Sequence, residues 1–100
     1  MTTAAIWTNK RKTSERSCAC GSWQAHWINR TGRSWPLTCS VERCACLPTL
    51  GAHIISPSVK GERIAPLCNG CNQSKHSFTL KHETPLADAV ASLRCGFSRS

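Results

Sequence analysis

Two short apolar runs flanking a turn, helical patterns on either side, and eight cysteines in 100 residues predict a small α+β domain cross-linked through its thiols. Ile, Leu, Val and Phe number only 17, below the roughly 20% at which a highly charged chain tends toward disorder. Lys and Arg total 13 against 5 Asp and Glu, a formal charge of +8. Even with four Trp, such a core is thin against the entropy of ordering the chain. A chain of this size with this cysteine density is normally stapled by disulfides or by metal.

Residues 1–17 carry Lys10, Arg11, Lys12 and Arg16 among few apolar residues, and read as a flexible basic arm. Residues 18–100 read as a single domain. In 18–28, Ser22 is a plausible N-cap, and Trp23 and Trp27 fall four apart on one helical face with His26 beside it. Residues 29–36 are a turn-rich connection. Ala52-His53-Ile54-Ile55 and Arg63-Ile64-Ala65-Pro66-Leu67, separated by a turn at 56–61, predict a β-hairpin. Asn72 to His76 is a polar segment able to start a helix. Near the end, Thr84-Pro85 resembles a cap and first helical position. Leu86, Ala89, Val90 and Leu93 then recur at helical spacing before Gly96, predicting a C-terminal helix over about 85–94.

The choice of staple follows from compartment. The opening residues show no basic stretch followed by an apolar one, so the expected compartment is the cytoplasm, where thiols stay reduced. No apolar run approaches the roughly 18 residues a membrane span needs, so no membrane partner is expected. Disulfides are the alternative, with 105 possible pairings and no spacing that favours one.

Cys68-Asn69-Gly70-Cys71 has the two-residue spacing that turns both thiolates and the intervening amides toward one metal. Cys39 and Cys44, four residues apart, supply the other two ligands of a structural zinc site. Cys46 is an alternative to Cys44. Cys20, His26, Cys46 and Cys95 form a candidate second zinc site, against the reading that such cysteines are small buried apolar residues. One four-thiolate zinc site lowers the formal charge from +8 to +6, so the chain stays basic.

From Cys39 to His76 the chain resembles the HNH, or ββα-metal, nuclease family. The segments that carry the resemblance are the cysteine pair, Gly51-Ala52-His53-Ile54-Ile55-Ser56-Pro57, and Leu67-Cys68-Asn69-Gly70-Cys71-Asn72. The resemblance implies a treble-clef fold at about 39–78: knuckle, hairpin and helix around one zinc. It also implies His53 as general base and Asn72 as ligand of a second, catalytic cation, magnesium or manganese. The sequence departs from the family at Arg63, where the central Asn normally lies, and at Asn72, where a His is usual.

Three functions compete. The first is a zinc-stabilised nucleic-acid-binding module, with Arg30, Arg33, Lys60, Arg63 and Lys75 as phosphate-contacting cations. The second is an active metal-dependent endonuclease using His53. The third is a zinc module that binds a protein partner.

Overall fold

The computed structural model describes residues 5–10 and 22–89. Its frame is an antiparallel four-stranded sheet with strands in chain order: β1 (Thr8–Asn9), β2 (Leu50–Ser56), β3 (Val59–Leu67) and β4 (Ala87–Asp88). Helix α1 (Trp23–Thr31) precedes the central hairpin and the short helix α2 (Asn69–Gln73) follows it.

The hairpin forms where the β-branched runs predict it, but with longer strands and a tighter turn at Pro57 and Ser58. Ala52 pairs with Ala65 and His53 with Ile64. Successive side chains on a strand point to opposite faces, so the hairpin has two apolar sides. Ala52, Ile54, Ala65 and Leu67 pack with Trp7, Cys39 and Cys68 on one of them. Ile64 packs with Trp27 and Ala87 on the other, beside Trp23 and Trp35. Ile54, Ile64 and Leu67 are fully buried, each contributing roughly 1.5–3 kcal/mol.

Helix α1 begins where expected. Ser22 is its N-cap, with the hydroxyl accepting from the Ala25 amide at 3.0 Å. It runs on to Thr31, beyond the expected turn, and ends at Gly32 with φ 70°. The helix can lie directly on β2 because Gly51 has no side chain: a Cβ there would sit 2.6 Å from the Trp23 backbone.

Two expectations are corrected. Residues 5–10 are not part of an unattached arm. Trp7 is 4% exposed, exchanges backbone hydrogen bonds with Phe78 at 2.8 and 2.9 Å, and leads into β1 on the edge of β2. The basic composition hid this one aromatic anchor. The expected C-terminal helix is not present over 85–89: Ala87 and Asp88 form β4, paired with Ile64 and Arg63. Burial of Ala87 against Ile64 and Trp27 outweighs the helical spacing. The rest of that helix, and residues 1–4 and 11–21, lie outside the described residues. Among the described residues no helix is long and apolar enough to cross a membrane.

Candidate metal centre

The sulfur atoms of Cys39, Cys44, Cys68 and Cys71 all lie within 4.8 Å of one another, and these four residues are the only such group among the described residues. Three pieces of chain bring them together. Cys39 and Cys44 flank a tight turn closed by the Cys44 amide on the Val41 carbonyl at 3.1 Å. Arg43 in this turn takes the left-handed conformation, φ 71°. Cys68 ends the β3 side of the hairpin and caps α2, its sulfur accepting from the Cys71 amide at 3.4 Å. The turn is docked on the hairpin by the Ser40 amide on the Pro66 carbonyl at 2.9 Å.

This donor set fits a tetrahedral thiolate-bound ion. Cys44 and Cys68 sulfurs are 3.8 Å apart, matching the roughly 3.8 Å edge of a tetrahedron with metal–sulfur bonds of about 2.3 Å. Cys39 and Cys68 are buried and Cys44 and Cys71 half-buried. The thiols are uneven in acidity. Burial raises Cys39 and Cys71 above the usual 9.0, while the Cys46 backbone lowers Cys44 to about 7. A cation bound at this point would let four such thiolates coexist.

Lys81 completes the surroundings of the first ligand pair. Its ammonium donates to the Cys39 carbonyl at 2.7 Å, the Cys44 carbonyl at 2.6 Å and the Thr38 hydroxyl at 3.1 Å. It thus holds the ends of the first ligand pair and sets a positive charge beside the thiols. No sequence signal marks it, because the bridge spans 37 to 43 residues.

The candidate second metal site is not assembled by its described members. Cys46 is exposed and neighbours Cys44 and Cys68, the first of which raises its pKa. His26 is fully buried in α1, its Nε2 donating to the Asp88 carbonyl at 2.6 Å. The alternation of the hairpin separates the two: Cys39 packs with the Ile54 side, and α1 lies on the Ile64 side. Cys20 and Cys95 lie outside the described residues.

The residues implied as catalytic are likewise apart. His53 pairs with Ile64 and faces α1, where its ring meets the edge of Trp23 at 4.4 Å and its Nδ1 lies 3.3 Å from Glu62. Its side chain is 4% exposed. Asn72 lies inside α2, which packs on the opposite side through Cys71 and is tied to β1 by the Asn9 amide. Pairing of Asn9 with Ile54 fixes that side.

The predicted phosphate-contacting cations are spread around the molecule. Arg33, Lys60 and Lys75 are exposed. Arg30 is paired with Asp88 at 3.3 Å, and Arg63 donates to the Glu62 carbonyl at 3.1 Å. Arg30 and Arg33 belong to the α1 side and Lys75 follows α2, so the five do not form one face.

Comparison with protein-family models, curated proteins and solved structures finds no match to this chain.

Proposed function

We propose that the chain is a zinc-stabilised module that binds nucleic acid, with one structural zinc at Cys39, Cys44, Cys68 and Cys71. Four thiol ligands complete a tetrahedron and leave no position for water or substrate, the arrangement of a structural rather than a catalytic ion. All-sulfur coordination selects zinc over magnesium or calcium, which take oxygen.

The observation that carries the binding reading is the fate of the acidic groups. Of five carboxylates, Glu42 accepts from Thr79, Glu62 lies against His53 and Asp88 pairs with Arg30. The acids are largely engaged within the fold, and exposed Arg33, Lys60 and Lys75 keep their charge for a polyanion.

The test is retardation of labelled DNA and RNA by the zinc-loaded protein across a salt series. Binding that weakens linearly in log affinity against log salt supports the proposal. No binding to either polymer at low salt refutes it in favour of a protein partner. Magnesium-dependent cleavage abolished by His53→Ala refutes it in favour of the nuclease.

A further inference from the structure

An open cleft of about 270 Å³ lies between α1, the loop after it and the segment following Phe78. Its apolar surface comes from the half-buried Pro36 and Pro85; Trp27 lies beneath, only 2% exposed, its indole N–H donating to the Pro85 carbonyl at 2.9 Å. Its walls carry Arg33, Thr38, Lys81 and His82.

The Lys81 ammonium has three N–H donors, and Thr38, Cys39 and Cys44 take all three. Lys81 therefore gives the cleft a fixed positive charge but no remaining hydrogen bond. The same contact uses Thr38 as an acceptor, which leaves the Thr38 hydroxyl proton to be donated elsewhere. Arg33 is exposed and makes no ion pair among the described residues, so its five donors are available. The single acid on the rim, Glu83, is exposed, with its carboxylate 3.9 Å from His82.

Fixed charge, a planar guanidinium and a free hydroxyl proton beside two proline rings match a phosphate joined to a ring-shaped body. We propose that this cleft binds one nucleotide unit, its phosphate held by Arg33 and Thr38 in the field of Lys81, and its sugar or base lying against Pro36 and Pro85. This deepens the nucleic-acid reading and rests on it for the source of the nucleotide, which is either a strand or a free mononucleotide. Because Lys81 also holds the Cys39–Cys44 turn, the cleft keeps this shape only while that turn is in place.

The test uses the full zinc-loaded chain, isotopically labelled, with two probes: adenosine monophosphate and a fluorescein-labelled single-stranded oligonucleotide. The expected result is saturable movement of the Trp27 indole and Thr38 amide signals with one or both probes. Movement with the strand alone identifies the source as a polymer, and movement with the mononucleotide as well identifies a free-standing nucleotide site. Arg33→Glu is expected to weaken the responding probe about tenfold or more, as loss of one charge-assisted phosphate contact implies. The control Lys10→Glu, exposed beside β1 and outside the cleft lining, reverses the same charge and should weaken it about two- to threefold by general electrostatics. Equal losses in the two variants overturn the cleft while leaving nucleic-acid binding intact. Binding of neither probe overturns both. Mononucleotide binding without strand binding overturns only the polymer reading.

Discussion

The seating of α1 on the hairpin can be tested by adding a single methyl group. Gly51 has an ordinary backbone conformation, so Gly51→Ala introduces no dihedral strain. Its new Cβ, however, would lie 2.6 Å from the Trp23 carbonyl carbon and oxygen and 2.9 Å from the Gln24 nitrogen. All three are backbone atoms, so no rotamer change relieves the clash. Restoring ordinary contact at 3.4 Å requires the first turn of α1 to retreat by roughly 0.8 Å. That withdraws Trp23 from His53, which it touches at 4.4 Å between ring centroids, and loosens Trp27 above Ile64. Overpacking of this kind costs about 1–3 kcal/mol, offset by about 0.5–1 kcal/mol from the smaller entropy of the unfolded chain. The net loss, about 1.25 kcal/mol at the middle of these ranges, should lower Tm by roughly 5–10 °C. Thermal unfolding of the metal-loaded protein, followed by Trp fluorescence and circular dichroism, reads it. Metal stoichiometry should stay unchanged, because the cysteines lie on the other side of the hairpin. Gly70→Ala is the control: a Cβ there meets nothing within 4 Å, so stability should hold or rise. A Gly51→Ala protein as stable as the parent would refute the packing of α1 against β2.

Other consequences concern the metal centre. Lys81→Met removes three hydrogen bonds, two of them to knuckle carbonyls. It should cost about 2 kcal/mol in urea unfolding and lower zinc affinity about 10- to 100-fold in competition with a chromophoric chelator. Arg43→Gly relieves a left-handed residue at φ 71°. Against a left-handed cost of roughly 1–2 kcal/mol and a glycine entropy cost of about 0.5–1, it should raise stability by up to about 1 kcal/mol; a loss would mean that the Arg43 side chain holds the turn. Zinc binding should weaken as pH falls. Cys39 and Cys71 are raised by burial, so each takes up a proton when the metal leaves at neutral pH. Release of at least two protons per ion makes affinity fall by about 100-fold or more per pH unit between pH 7 and 6, with Cys44 adding a third below its value of about 7. A pH-independent affinity over this range would show that these thiols are not the ligands.

What the sequence made legible was local. The β-branched runs located the hairpin, Ser22 marked the start of α1, and the two cysteine pairs named the clustered thiols. What it concealed was set by contacts distant along the chain. Trp7 sat in a basic stretch, and only its bridge to Phe78 and the pairing of Thr8 and Asn9 with β2 reveal residues 5–10 as attached. Thr84-Pro85 and the apolar spacing after it imitate a helix start, yet Ala87 is buried at the β3 edge. Lys81 resembled every other cation until its ammonium was placed among three oxygens. His53 and Asn72 were grouped by the resemblance to the nuclease family, and the alternation of the hairpin puts them on opposite sides.

The attachment of β1 also sets an order of assembly. Asn9 donates to the carbonyls of Cys71 and Ser74, and its strand pairs with Ile54 and Ile55. During synthesis Thr8 and Asn9 emerge first, yet every partner that holds them emerges more than forty residues later. The hairpin and its cysteine turn are comparatively local and can close without β1, whereas β1 must wait for both β2 and the end of α2. β1, made before everything it pairs with, thus joins only after the hairpin and α2 are in place, and the Asn9 amide latches it to the end of α2.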